Sequence, residues 1–407
     1  MAASRALLLS GLFTASIALA QDPPSWATAV VSYDSGSTPY SGYTLKGSAL
    51  GRPTVETYED FTSTEPTVTV VPVYPPWDFM ELVSIGEGGE LILEMGKPIT
   101  NDPAHPYGVD FLVFGNALLS GSGLYDQYGN DPTTYTLPPP SSMSIDNDKW
   151  GVVSVSADGV TWFDFPTDQR VGAMLPTLGR VWNGTAWGDP TDPTLPPDPD
   201  LVPADLGGMN LADLCERYRG GAGGTGFDLD DLIVPEGQTP PSSFTYVKIS
   251  VPDDGNSETS RRTEIDAVTV VAPVGGFTRW QQDHFAWIED PAREAPGASP
   301  DGDAFDNWQE YARGGDPVHV QETELFLPSA SLRDGAFVFT LPLSAREAPW
   351  TLQASSNPAD PNSWADLTPQ PDAIETESVD QVEMELHLPP LDGDTPALYR
   401  LRLEAAP

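Results

Sequence analysis

The stretch VVSVSADGVTWFDF, Val152–Phe165, carries the pattern that decides the fold class of this 407-residue chain. Apolar and polar residues alternate in two short runs, and a period of two is typical of β-strands with one buried face. Asp158-Gly159 lies between the runs, and this dipeptide is favoured in hairpin turns because glycine adopts positive φ without strain. The stretch therefore predicts a β-hairpin.

Short strand-like runs recur on both sides of this hairpin. Asp110–Phe114 is apolar on both faces, as expected of a central strand. The other runs before residue 273 are Glu90–Met95, Tyr246–Val251 and Glu264–Val271. The chain also contains 43 prolines and 37 glycines, which supply turns between strands. We therefore expect a β-sandwich over residues 25–273.

Two segments interrupt this β pattern. Asn210 is a favourable N-cap for a short helix that Gly220 ends, and Cys215 lies on its apolar face. A buried inert thiol fits that position better than a nucleophile does. Residues 177–208 are rich in proline, aspartate and glycine, which predicts a long surface loop with two exposed tryptophans.

The hydrophobic period changes from two to 3.6 at Phe277, where Trp280 and Trp287 take helical spacing. We expect a helical linker over residues 277–317 and a small immunoglobulin-like β-sandwich over residues 321–405. The strands predicted in the second sandwich are Glu322–Leu327, Ala336–Leu343, Trp350–Asn357, Val382–Pro389 and Ala397–Ala405.

The linker contains SPDGDAFDNWQE, Ser299–Glu310, with oxygen-bearing side chains at alternate residues. A calcium loop of the helix-loop-helix kind needs such oxygens, a tight central turn and a closing bidentate glutamate. The residues in the ligand positions are Ser299, Asp301, Asp303, Phe305 (through its carbonyl), Asn307 and Glu310. Ser299 replaces the usual leading aspartate, and Ala304 replaces the usual glycine, which predicts a strained or altered turn. The pattern fits a calcium site, and also a degenerate loop that only caps the next helix.

A second acidic group lies in the first sandwich. Its members are Asp228, Asp230 and Asp231, with Glu264 and Asp266 on the last predicted strand. Asp228 and Asp230 share one side of an extended strand, and Glu264 and Asp266 do likewise. Four like charges on adjoining strands repel unless something neutralises them. A cation would do so. Salt bridges to Arg261 and Arg262, or a solvated sheet edge, are the alternatives.

Aromatic residues in the predicted loops are candidates for stacking on sugar rings. These candidate ligand-binding residues are Trp77, Tyr107, Tyr125, Tyr128, Trp182 and Trp187. Each of them could equally pack into the core or against its own loop.

The linker and the region after it resemble a known arrangement over roughly residues 277–405. FTRWQQDHFAW and SPDGDAFDNWQEYARGGDP are similar to a linker of secreted proteins from Verrucomicrobia and related bacteria, which usually ends in DPDGDGLSNLLEYALGLDP. The strands WTLQASSN and ALYRLRL are similar to those of the domain that follows this linker. The resemblance implies export and an immunoglobulin- or fibronectin-like β domain.

The first sandwich resembles a bacterial cell-surface domain related to galactose-binding or discoidin-like jelly rolls. The motifs that carry the resemblance are VDFLVFGNA, VSVSADGVTWFDF, GGTGFDLDDL and EIDAVTVV. Gly115 stands where that family usually has glutamate, which puts a ligand role at this position in doubt. The resemblance implies a jelly-roll scaffold for surface or glycan binding, without a reaction.

The start of the chain predicts export. Arg5 precedes a short apolar run that ends at Ala18-Leu19-Ala20, so residues 1–20 have the pattern of a cleaved signal peptide. No later run approaches the roughly 18 apolar residues of a membrane span. The net charge of −41 argues against nucleic acid as a partner, and the single cysteine excludes an internal disulfide.

No G-x-S-x-G elbow, H-E-x-x-H motif or P-loop occurs in the sequence. We therefore expect an extracellular or cell-surface binding protein without catalysis, stabilised by calcium and directed at a glycan or another envelope component. A purely structural envelope or matrix component is the alternative. A glycoside hydrolase that uses two of the many carboxylates is a further one. The sequence leaves the oligomeric state open.

Overall fold

The computed structural model describes most of the first 318 residues and parts of the remainder. The described residues are 23–120, 132–146, 151–169, 171, 175–199, 201–253, 255, 261–274, 276–285, 291–303, 305–313, 315, 317–318, 329–333, 336–342, 350–355, 363–366, 373–377, 381–387 and 398–403. The predicted strand at 322–327 and the aromatic residues Tyr125, Tyr128 and Trp287 lie outside them.

The described part of the chain is mainly β, with several antiparallel sheets and few helices. Up to residue 274, the N-terminal β region, the strands are β1 (Ala27–Asp34), β2 (Glu56–Thr57), β3 (Val68–Thr69), β4 (Val83–Gly86), β5 (Glu90–Ile99), β6 (Phe111–Gly115), β7 (Leu118–Ser120), β8 (Ser144–Asp146), β9 (Val152–Ser156), β10 (Phe163–Asp164), β11 (Arg180–Trp182), β12 (Trp187–Pro190), β13 (Thr225–Phe227), β14 (Phe244–Ser250) and β15 (Arg262–Val270). The helices are α1 (Leu211–Arg217), α2 (Gly276–His284), α3 (Pro291–Glu294) and α4 (Asn307–Tyr311).

Two sheets of the N-terminal β region share one hydrophobic core. One has the order β1-β5-β14-β9-β10 and the other the order β13-β6-β15-β4. Leu91 and Leu93 of β5 face Phe111 of β6 and Ile265 of β15 within this core, and all four are fully buried. Burial alternates along β5, as its sequence predicts, and the β9–β10 pairing contains the predicted hairpin.

The N-terminal β region has a second core, and here one prediction was wrong. Residues 177–208 were expected to form a surface loop with exposed tryptophans, but they contain the β11–β12 hairpin. Trp182 is 6 % exposed and packs with α1, while Trp187 packs against the same cluster. The segment is rich in turn residues, yet it encloses apolar side chains because α1 supplies a second apolar face.

Helix α1 begins as the sequence predicts. The Asn210 side chain accepts a hydrogen bond of 2.8 Å from the backbone N–H of Ala212. Cys215 lies on the buried face, and burial raises the pKa of its thiol, so the thiol is kept protonated.

The C-terminal β region contains β16 (Ser329–Arg333), β17 (Ala336–Pro342), β18 (Trp350–Ser355), β19 (Ala365–Asp366), β20 (Ala373–Glu377), β21 (Gln381–His387) and β22 (Leu398–Leu403). They form two antiparallel sheets, β16-β17-β21-β20 and β19-β18-β22. In the part of the chain that the structure describes, no helix has the length and apolarity needed to cross a membrane.

Between the two β regions, an aromatic cluster holds the helices together. Trp280 of α2 packs with Trp308 and Tyr311 of α4, and all three are buried. Trp350 of β18 and Leu403 of β22 pack against the same cluster. The helices therefore contact the C-terminal β region through aromatic side chains.

Candidate metal centre

The loop between α3 and α4 brings three carboxylates together. Asp301, Asp303 and Glu310 each offer an oxygen, and these oxygens lie within 4.8 Å of one another. Among the residues that the structure describes, this group of acidic, histidine and cysteine side chains is close enough to hold a metal ion. It matches three of the positions that the sequence predicts.

Hydrogen bonds within the loop orient two of these carboxylates. Oδ1 of Asp301 accepts from the backbone N–H of Asp303 at 3.1 Å, and Oδ1 of Asp303 accepts from that of Phe305 at 2.6 Å. Their Oδ2 atoms are buried and have no hydrogen-bond partner among the described residues. A buried acceptor without a partner is costly, so these two oxygens are positioned for a cation.

Asn307 supplies a further oxygen from the first turn of α4. The residue is fully buried, and its Nδ2 donates to the carbonyls of Arg293 at 2.7 Å and Ala295 at 2.9 Å. These two bonds fix the orientation of the amide. Its Oδ1 is buried and has no hydrogen-bond partner within the described part of the chain.

Helix α4 sets the position of Glu310. The Asp306 side chain caps the helix by accepting from the backbone N–H of Gln309 at 2.8 Å, and Oε1 of Gln309 accepts from the backbone N–H of Asp306. Glu310 follows Asn307 by three residues, so the two lie on neighbouring positions of one helix face, and Glu310 is fully buried.

The donor set consists of oxygens only. Carboxylate and amide oxygens suit a hard divalent cation such as calcium, whereas zinc favours nitrogen and sulfur ligands. Calcium takes about six to eight oxygen ligands. Most of them could come from Asp301, Asp303, Asn307 and Glu310. The remaining positions of the coordination shell would be open to water.

The other two predicted ligands are Ser299 and the carbonyl of Phe305. Ser299 is exposed, and its hydroxyl lies 3.5 Å from Oδ1 of Asp301 and 3.4 Å from the carbonyl of Asp303. The ring of Phe305 lies under the guanidinium of Arg313 at 4.8 Å. The positive φ of the loop is at Gly302 (78°), a residue that adopts it without strain, and Ala304 lies outside the described residues.

The second acidic group is divided. Strand β6 lies between β13 and β15, so Asp228 does not adjoin Glu264 and Asp266 as the sequence analysis assumed. Residues Leu229–Asp231 form a 3-10 turn, with Oδ1 of Asp228 accepting from the N–H of Asp230 at 2.8 Å. The Asp228 side chain caps this turn, so the chain leaves the extended conformation at Asp228. The prediction that Asp228 and Asp230 share one side of a strand was therefore wrong.

Local partners satisfy many of these carboxylates. Asp230 accepts from Asn101 at 2.6 Å and Asp231 from Gln169 at 3.3 Å. Glu264 accepts from Ser84 at 3.2 Å and lies 3.8 Å from Nε of Arg262, which favours the salt-bridge alternative for this residue.

Within the described part of the chain, Thr54 donates the hydrogen bonds that hold the Asp266 carboxylate. Its two oxygens accept from the Thr54 N–H at 2.9 Å and from the Thr54 hydroxyl at 2.8 Å. Burial raises the pKa of Asp266 to about 7. Burial also raises the pKa of Asp228.

One buried pair was missed by the sequence analysis. Nδ1 of His105 lies 2.6 Å from Oδ1 of Asp110, and Oδ2 of Asp110 accepts from the N–H of Leu229 at 2.8 Å. The pair joins the start of β6 to the turn after β13. The two residues are five apart across a loop, and no sequence pattern marks such a contact.

The predicted sugar-stacking residues have different surroundings. Trp182 is a core residue, and Tyr107 and Trp187 are partly buried against hydrophobic clusters. Trp77 is also partly buried, and its ring contacts the highly exposed ring of Phe61.

The scan against protein-family models found no match, and the search of curated proteins found none either.

Proposed function

We propose that this chain is an exported, non-catalytic binding protein of the cell surface or extracellular space, with one calcium ion that fixes the joint between its two β regions. The supporting observation is the orientation of Asn307. Its amide nitrogen donates to the backbone at the end of α3, while its buried oxygen has no hydrogen-bond partner among the described residues. A calcium ion would be coordinated by that oxygen and by the carboxylates of Asp301 and Asp303.

The N-terminal side of the joint is linked to the same loop through α3. Glu294 of α3 is ion-paired with Arg219, which follows α1. The carbonyl of Glu294 also accepts from the Gln281 side chain of α2 at 2.7 Å. Ordering the loop with an ion therefore orders Asn307, then α3, and then its contact with the N-terminal β region.

The C-terminal side depends on α4. Glu310 and Asn307 face the loop, while Trp308 and Tyr311 of the same helix belong to the aromatic cluster that Trp350 and Leu403 join. An ion that holds α4 against the loop would also hold this cluster in place. Calcium is the expected ion because an extracellular site tolerates weak affinity at millimolar calcium.

The ligand of the proposed protein is a glycan or another envelope component. The resemblance of the first β region to cell-surface domains supports this ligand class, and the acidic charge of −41 disfavours nucleic acid and anionic surfaces. The chain is proposed to act without turnover because its sequence carries none of the common catalytic motifs. A purely structural role would need no such ligand. Binding of a soluble polysaccharide would therefore distinguish a binding protein from a purely structural one.

The calcium site is tested by thermal unfolding with millimolar calcium and with a chelator. Calcium at 100 times its dissociation constant adds about 2.7 kcal/mol to the stability of the folded state. We expect the unfolding midpoint of the wild type to rise by several degrees in calcium and that of Glu310→Gln to change little. Glu236→Gln removes an exposed carboxylate elsewhere and should behave as the wild type. An equal rise in Glu310→Gln would place the stabilising site elsewhere.

A further inference from the structure

Two Asp-Phe turns on the N-terminal β region present their phenylalanines to solvent. Oδ1 of Asp60 accepts from the N–H of Thr62 at 2.7 Å, and Oδ1 of Asp78 accepts from the N–H of Met80 at 2.8 Å. Each aspartate thus closes a turn over the next residue. The phenylalanines at the two tips, Phe61 and Phe79, are 91 % and 49 % exposed.

Trp77 ties the two turns together. Its indole N–H donates to the carbonyl of Tyr58 at 3.0 Å, and its ring lies 4.8 Å from that of Phe61 at 74°. Glu81 holds the second turn, since its Oε2 accepts from the backbone N–H groups of Trp77 and Asp78 at 3.0 Å each. The backbone of both turns is therefore held in place before any partner arrives, which reduces the entropy lost on binding.

Other exposed apolar residues belong to segments that bond to these turns. The Tyr43 hydroxyl donates to the carbonyl of Trp77, and the Ser48 hydroxyl donates to that of Phe79 at 3.4 Å. Tyr40, Leu45 and Met80 are each about half exposed. We define the aromatic patch as Tyr40, Leu45, Phe61, Trp77, Phe79 and Met80. Trp77 is partly buried beneath this group, and the other five members are exposed apolar residues on segments joined by these contacts. Neighbouring exposed apolar residues, unlike single ones, indicate an interaction surface.

Several carboxylates lie near the aromatic patch, beside two cationic residues, the exposed Lys46 next to Leu45 and Arg262 at Tyr40. Burial raises the pKa of Tyr43 and of Tyr58, and the charge of Asp78 is the next cause for both. Glu81 contributes to both as well, Glu65 contributes to Tyr58 and Glu264 to Tyr43. Carboxylates beside exposed aromatic rings attract cations, because the face of each ring is also negative.

The protein already contains one such contact at the edge of the aromatic patch. The Arg262 guanidinium lies 4.9 Å from the ring centre of Tyr40, and its Nε lies 3.8 Å from Glu264. The Tyr40 ring and the Glu264 carboxylate thus both contact the guanidinium of Arg262. Phe61, Trp77 and Asp78 offer the same two elements with the ring of Phe61 open to solvent.

We propose that the aromatic patch binds a lysine- or arginine-bearing segment of a partner protein. The cationic side chain lies against the rings of Phe61 and Trp77 near Asp78. Apolar side chains of the same segment pack on Phe79, Met80 and Leu45. The charge of the surroundings selects against anionic partners. This surface is separate in sequence from the calcium loop, and its function does not depend on that loop.

The test uses the full mature protein and a dye-labelled, blocked peptide of alternating lysine and leucine. Fluorescence anisotropy at physiological ionic strength measures its affinity, and the same peptide with acetylated lysines controls for charge. We expect Phe61→Ala to weaken binding about five-fold, the size of one exposed cation–aromatic contact. Asp78→Asn keeps the acceptor for Met80 but removes the charge, and should weaken binding by a similar factor. Val160→Ala, which truncates an apolar residue that is 80 % exposed on the β9–β10 hairpin, should leave it unchanged.

Three results would overturn the proposal. The first is equal affinity of Phe61→Ala and Val160→Ala for the peptide, and the second is equal affinity of the protein for the acetylated and unacetylated peptides. The third is loss of binding to a neutral β-glucan in Phe61→Ala while peptide binding persists, which would assign the aromatic patch to a glycan. Calcium-dependent stability is measured separately on the same variants, so failure of the peptide test leaves the calcium proposal unaffected.

Discussion

Asp266 has an environment unlike that of an ordinary surface carboxylate. It is 2 % exposed, and its described hydrogen-bond donors both belong to Thr54. Burial raises its pKa from 3.8 to about 7, because the charged form loses its hydration. The two hydrogen bonds and the nearby charge of Glu81 modify this shift without reversing it.

This shift predicts how stability depends on pH. The folded state retains the Asp266 proton up to about pH 7, whereas the unfolded chain releases it near pH 3.8. The contribution of protonated Asp266 to the free energy of unfolding is therefore complete below pH 3.8, and it is lost as pH rises toward 7. Asp266→Asn does not titrate, so its stability relative to the wild type should increase over that interval by about 2–4 kcal/mol.

Chemical denaturation at a series of pH values measures this difference. Glu236→Gln serves as the control because Glu236 is exposed, and it should show no comparable increase. A wild type and an Asp266→Asn variant whose stabilities run parallel from pH 4 to 8 would show that Asp266 is charged in the folded protein.

At the residue scale, the cluster of carboxylates in the loop before α4 was predictable because its members are close in sequence. Spacing alone placed Asp301, Asp303 and Glu310 together, as the structure does. It did not reveal that Asn307 bonds to α3, since that contact depends on how the helices pack. Asp228 and Asp266 were assigned to one group because strand order across a sheet cannot be derived from local spacing.

Among the elements, α3 has contacts out of proportion to its length. Asn307 and Gln281 bond to its backbone, and Arg219 pairs with its Glu294. Arg219 adopts a positive φ of 49°, which is uncommon for a residue other than glycine. The side chains of Arg219 and Glu294 are 20 % and 7 % exposed, so both charges of the ion pair are largely removed from water.

The Arg219–Glu294 pair predicts non-additive mutational effects. Glu294→Leu or Arg219→Met alone leaves one partly buried charge without its partner, and each should lower stability by about 2 kcal/mol. The double variant removes both charges and should cost less than the sum of the two singles. Thermal unfolding midpoints of the four proteins provide the measurement. Additive losses would indicate that the two side chains act independently.

The elements themselves were predictable where one face is buried and the turn chemistry is local. The β9–β10 hairpin and the Asn210 cap of α1 are examples. The β11–β12 hairpin was not predicted, because its segment has the composition of a loop and Trp182 is buried by contacts from α1. Composition does not report which distant element covers an apolar side chain.

For the whole molecule, the mainly β class followed from the sequence, and the structure confirms it at that level. The jelly-roll arrangement of the first β region and the immunoglobulin-like character of the second remain proposals. A chain without disulfides and with a net charge of −41 needs another source of rigidity where its two β regions meet. Packing of the aromatic cluster supplies part of it. A bound divalent cation would supply the rest.

Calorimetric titration of calcium into the mature, calcium-depleted protein tests this account most directly. Four neighbouring oxygen-bearing residues predict one saturable site per chain with affinity matched to millimolar calcium or tighter. The heat should be lost in Glu310→Gln and retained in Glu236→Gln. Absence of saturable binding up to several millimolar calcium, or the same stoichiometry in Glu310→Gln as in the wild type, would contradict the central claim that calcium fixes the linker.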